Sequence, residues 1–168
     1  MINDIKFALK IAANPEKVFS DIHKKSFDDV LYFYVKMLIY SAFVAAVWSF
    51  VFSILKAVYY EVFLNAGIQY LRRINYSLGE SVSIAFLFVF IGSFMLFPIA
   101  SIFKPLFRKI NYLDYLKIVV FSTAPILLFG WITFSIFALV MWSIFIFAVG
   151  IKSYKKDYSK KGTIRERD

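Results

Sequence analysis

The stretch IVVFSTAPILLFGWITFSIFALVMWSIFIFAVGI, from Ile118 to Ile151, runs 34 residues without one charged side chain. As a single helix it would measure about 51 Å at 1.5 Å per residue, far more than the roughly 30 Å of hydrocarbon in a bilayer. Pro125 and Gly130 lie inside it, and an uncharged Gly130-Trp131 turn can reverse the chain. This predicts a hairpin, with one span from about Asn111 to Phe129 and the next from about Thr133 to Lys152. Asn111 is placed to cap the first of these helices, with Asp114 three residues on.

Two more charge-free runs precede the hairpin, Met37 to Leu55 with 19 residues and Ser81 to Phe103 with 23. Each is long enough for a membrane helix. The expected fold is therefore an all-α polytopic membrane bundle of four spans, about 31–56, 80–103, 111–129 and 133–152. These lie within a transmembrane domain, 31–152, between an amphipathic cytoplasmic segment (1–30) and a basic tail (153–168). The content is 61% hydrophobic and 21% aromatic, which leaves room for one membrane bundle and little else. Tyr32, Tyr34, Tyr59, Tyr60, Tyr76, Tyr112 and Tyr154 fall near the ends of apolar runs, where an interfacial belt places them.

Basic residues give the orientation. With four spans, 17 of the 20 Lys and Arg fall on one side; with the long run as one helix the split is 10 and 10. The positive-inside rule prefers the hairpin, with both termini cytoplasmic. Ala57 to Leu71 is the segment that leaves the count open. Glu61, Asn65, Gln69 and Arg72 recur there at helical spacing, as on an amphipathic helix at the outer interface or a dipping helix lining a wet cavity. A full crossing would make five spans. The N-terminal thirty residues read as two short helical pieces, and Asn14-Pro15 is a helix start, with Asn as cap and Pro at the first position. The helix runs to about Lys25, with Val18, Phe19 and Ile22 on one side, and lies at the interface. Ser26 with Asp29 reads as a capping box opening the first span.

Several features carry packing rather than chemistry. Ser41, Ala45, Ser49 and Ser53 place a small residue at every fourth position, which lets another helix approach closely, within the bundle or in a homo-oligomer. Pro98 and Pro125 each remove a backbone donor and predict kinks, with Ser101, Ser122 and Thr123 near enough to satisfy the freed carbonyls. No charge lies at the centre of a span; Lys36, Asp114 and Lys117 are within reach of an interface, where lysine snorkels. His23 is the only histidine and there is no cysteine, so disulfides and thiolate metal sites are excluded. No glycine-rich phosphate loop or metal-ligand spacing is present, and neither catalysis nor a cofactor is expected. A secretory signal is not expected either, since Lys6 and Lys10 interrupt the N-terminal apolar stretch. Arg72-Arg73-Ile74-Asn75-Tyr76 echoes Arg108-Lys109-Ile110-Asn111-Tyr112, as an internal duplication or as two helix starts with interfacial tyrosines.

The C-terminal half resembles the Yip domain family, the Ypt-interacting membrane proteins. The resemblance rests on Phe121-Ser122-Thr123-Ala124-Pro125, Gly130-Trp131, Trp142, Val149-Gly150-Ile151 and the tail Tyr158 to Gly162. Asn14-Pro15-Glu16-Lys17-Val18-Phe19 is similar to the family's opening Asn-Pro-x-x-x-Phe helix, through Pro15 and Phe19. The resemblance implies a helical membrane domain with a cytoplasmic N-terminus. The chain shows no Asp-Leu-Tyr-Gly-Pro-like motif of the eukaryotic branch, and Phe121 stands where the family often has Tyr, so GTPase binding is not carried over. The similarity is to the short prokaryotic branch.

The net charge of +9 belongs to cytoplasmic lysines and anionic lipid rather than to nucleic acid. The functional expectation is a non-enzymatic membrane adaptor or organiser in a prokaryotic plasma membrane. Its basic face would combine the Asn14 to Lys25 helix, Lys104, Arg108 and Lys109, and the tail with Lys155, Lys156, Lys160 and Lys161, set against anionic headgroups or a protein partner. The alternative is a small channel or transporter with a polar path near Glu61, Asn65 and Gln69.

Overall fold

The computed structural model of the protein describes residues 2–20, 25–64, 70–132 and 136–165. The elements are α1 (Ile2–Ala13), α2 (Pro15–Phe19), α3 (Phe27–Leu64), α4 (Tyr70–Phe103), a 3-10 turn (Lys104–Phe107), α5 (Tyr112–Ser122), α6 (Ala124–Phe129) and α7 (Ile136–Arg165). Four helical stretches are long and apolar enough to cross a membrane: Phe27–Tyr60, Tyr76–Phe107, Tyr112–Phe129 and Ile136–Lys156. The protein is an all-α bundle of four candidate spans, and these mark it as an integral membrane protein.

The long charge-free run does reverse at the glycine. Gly130 N–H donates to Ile126 O at 2.7 Å, Ile132 N–H to Phe129 O at 2.9 Å, and the Trp131 indole to Leu128 O at 2.8 Å. The turn thus satisfies carbonyls that the end of α6 would leave orphaned. Residues 133–135, where the fourth span was expected to start, lie outside the described residues; α7 is described from Ile136. Before the turn, the third span is broken once. α5 ends at Ser122 and α6 restarts at Ala124, because Pro125 has no N–H to continue the ladder. The Ser122 and Thr123 hydroxyls donate to Val119 O and Val120 O, each at 2.7 Å. These are not the carbonyl freed by Pro125, which is that of Phe121. Pro98 leaves α4 continuous to Phe103, and Ser101 bonds the Tyr112 hydroxyl at 3.1 Å instead of a freed carbonyl.

The third span is the centre of the bundle. Across its apolar stretch 61% of residues are buried, against 22%, 6% and 22% in the first, second and fourth spans. α3 packs on one side of it and α7 on the other, while α4 packs along α3 and only lightly against α5. The N-terminal segment fills the remaining side. α1 packs on α6 and α2 on α7, burying Ala8, Ile11, Pro15, Val18 and Phe19. The N-terminal segment thus forms two short helices, as expected, and their apolar faces pack on protein. α2 stops at Phe19, and Asp21 to Lys24 lie outside the described residues. Asn14 makes no side-chain capping bond, although Pro15 does occupy the first turn.

Other local expectations resolve residue by residue. Ser26 Oγ accepts from Asp29 N–H at 3.1 Å and opens α3, and Asn111 Oδ1 accepts from Leu113 N–H at 3.3 Å and opens α5. Asp114 does not join that cap; it pairs with Lys117 at 3.2 Å. Ala57 to Leu71 is not a helix of its own. Ala57 to Leu64 prolong α3, and Tyr70 already belongs to α4. Glu61 lies on α3 and Arg72 on α4, while Asn65 and Gln69 fall outside the described residues. At 38 residues α3 would measure about 57 Å, more than hydrocarbon thickness requires.

Gly150 marks a close approach. A Cβ there would come within 2.7 Å of Ile118 Cγ2 and 3.0 Å of the Phe19 ring. Gly150→Leu should therefore prise α7 from α5 and α2 and cost roughly 1–3 kcal/mol. Thermal unfolding in detergent, followed by helical circular dichroism, checks this; an unchanged midpoint would mean that the approach is not tight. Phe121 is almost fully buried among Phe7, Phe19 and Phe33. Phe121→Ala should cost about 3 kcal/mol, the low end for a buried aromatic, because lipid is as apolar as the core it replaces. The same unfolding measurement reads it out.

Candidate functional site

The small-residue stripe divides into two parts. Ser41 and Ala45 are buried, and Ser41 Oγ is hydrogen-bonded to Leu127 O and to Met37 O, the latter at 2.9 Å, tying α3 to α6. Ser49 and Ser53 are half-buried and line a cavity of about 690 Å³ instead. That cavity lies between α3, α4 and the Gly130 turn, with Trp48, Trp131 and Phe52 among its walls and Lys56, Tyr76 and Glu80 among its polar lining. The stripe thus packs protein at one end and borders open space at the other. Ser41→Ala should cost about 0.6–1.7 kcal/mol, the range for interhelical hydrogen bonds in membranes. Denaturation in mixed micelles checks this against Ala46→Ser, a change of the same size on a neighbouring face.

At the opposite end, α2 and α7 enclose a second cavity of about 510 Å³. Asn14, Glu16, Lys17 and Ser20 line it from one side, and Val149, Lys152, Ser153 and Lys156 from the other. Lys152 and Lys156 are one helical turn apart, so both ammonium groups project over the same face. Three lysines against one glutamate leave the groove formally positive. Nothing in the local sequence pairs Lys17 with residues more than 130 positions away. Only the docking of Val18 and Phe19 against α7 brings them together.

The remaining basic residues differ in availability. Arg108, Lys109 and Lys155 are exposed, while the Lys160 and Lys161 side chains lie outside those described. Lys104 folds back on its own turn: Nζ donates to Phe107 O at 3.2 Å and sits 5.9 Å from the Tyr115 ring centre. Lys25 lies 3.6 Å over the Phe7 ring, and burial holds it below the ordinary lysine range, partly offset by Asp29 and Asp4. Lys36 and Lys117 do not snorkel as free cations. Lys36 pairs with Asp4 of α1 at 3.5 Å, and Lys117, buried, pairs with Asp114.

Residues of the family resemblance serve packing in this structure. Pro15, Phe19, Ser122, Pro125 and Gly150 are buried at the contacts of α2, α5, α6 and α7, and the Trp142 indole donates to Ala12 O at 3.1 Å. Among the described residues no cluster of His, Cys, Asp or Glu is arranged to hold a metal ion. Comparison with protein-family models, with curated proteins and with solved structures finds no match.

Proposed function

We propose that the protein is a non-enzymatic membrane adaptor or organiser, of the short prokaryotic Yip type, with both ends in the cytoplasm at a plasma membrane. Its working part is the basic end of the bundle, which holds phosphate-bearing anionic headgroups and so sets where the protein sits or what it gathers. The observation that supports this reading is the convergence of Lys17, Lys152 and Lys156 around one groove from segments far apart in sequence. Seventeen of the 20 basic residues fall at that end when the chain crosses four times, and an even number of crossings returns both ends to one side. Lysines near an anionic surface contribute about 1 kcal/mol each.

Replacing Lys17, Lys152 and Lys156 together with Gln tests it. Purified wild-type protein should retain phosphatidylglycerol over phosphatidylcholine, and retention should fall as salt screens the groove. The triple variant should lose up to about a hundredfold in preference, as three such contributions imply. Reporter fusions at both ends should show no change of sidedness. An inverted variant would assign the lysines to orientation, and unchanged retention would remove the adaptor reading.

A further inference from the structure

The cavity at the other end continues toward the middle of the bundle. A second, apolar cavity of about 380 Å³ adjoins it, and Ile84 and Phe88 of α4 line both. The inner cavity is walled by Leu38, Leu87 and Ile126 among others, and closes where the Tyr34 hydroxyl donates to Gly92 O at 2.7 Å. Together they form one groove with a polar mouth and an apolar floor, left open because α4 leans on α3 and scarcely meets the third span. Along α4 the lining runs from Tyr76 to Gly92, sixteen residues, or about 24 Å. That is close to half the 40–45 Å of a whole bilayer, the depth of a single leaflet.

The mouth carries one charge of each sign. Lys56 on α3 and Glu80 on α4 both border it, and neither is in an ion pair among the described residues. Ser49 and Ser53 add hydroxyls, and Trp48 and Trp131, 5.2 Å between ring centres, add aromatic faces that attract cations. The geometry points to a zwitterionic phospholipid with a primary ammonium, a phosphoethanolamine headgroup, as the occupant. Its phosphate faces Lys56, its ammonium faces Glu80 and the indoles, and an acyl chain follows Ile84 and Phe88 to the Tyr34–Gly92 floor. A choline headgroup fits less well, since a quaternary ammonium has no N–H to give to Glu80. An anionic headgroup leaves Glu80 unpaired. This site is separate from the basic groove in residues, charge and position.

The three tryptophans make the test direct. In a Trp142→Phe background all tryptophan emission comes from Trp48 and Trp131, both in the groove wall. Phosphatidylethanolamine brominated near the glycerol end of its acyl chains, titrated into the protein in detergent, should quench that emission saturably. Lys56→Gln with Glu80→Gln should raise the half-saturating concentration at least tenfold, and Ser49→Phe, which fills the cavity, should abolish saturation. The brominated choline and glycerol phospholipids should each bind at least tenfold more weakly. Equal quenching by all three headgroups, or quenching indifferent to the charge variants, would overturn the headgroup assignment. Quenching that stays linear in the parent protein would overturn the site. Helical circular dichroism confirms that each variant is folded before it is scored.

Discussion

The bundle depends on Phe121 and the rings around it. Phe7 of α1 and Phe33 of α3 meet it edge-on at 5.5 and 5.6 Å between centres, and Phe19 of α2 meets it tilted at 6.4 Å. The first three helices of the chain thereby meet a fourth segment that is almost ninety residues or more away in sequence. Edge-to-face pairs hold their partners at defined angles, which a uniform aliphatic contact does not. Between membrane helices this matters more than in water, because lipid competes equally well for apolar surface and only close, shaped packing favours protein. The rings make α5 and α6 the hidden span and push α4 to the outside.

Charge is handled by the same enclosure. Lys36 lies nine residues into α3, where a free ammonium would be costly, and Asp4 is delivered to it because Phe7, one turn further along α1, docks against Phe33. Asp114 does the same for Lys117 within one helix. Among the described residues the first and third spans thus carry these lysines as ion pairs, while Lys17, Lys152 and Lys156 border one groove between α2 and α7.

The two ends then differ in kind for a structural reason. At the basic end α2 plugs the space beside α7, leaving a groove rimmed by lysines. At the far end α4 keeps to α3 and only lightly meets the third span, which leaves a groove that is apolar inside and carries one charge of each sign at its mouth. One groove is rimmed by cations, and the other carries a single charge of each sign.

What the sequence by itself determined was the set of crossings and their local punctuation. Charge-free runs, the Gly130 turn and the caps at Ser26 and Asn111 are legible because hydrocarbon thickness and unsatisfied backbone groups act on neighbouring residues alone. The tertiary structure decided the rest. That α1 docks on α6 and α2 on α7 is one such outcome, since an amphipathic pattern does not say which surface its apolar face will meet. The fate of the small-residue stripe was equally hidden: Ser41 bonds α6 while Ser49 and Ser53 face a cavity, because the partner helix ends at Phe129. Lys17 beside Lys152, and Lys56 opposite Glu80, are juxtapositions of segments remote in the chain. No periodicity records them, since side chains on different helices meet only once packing has set the register.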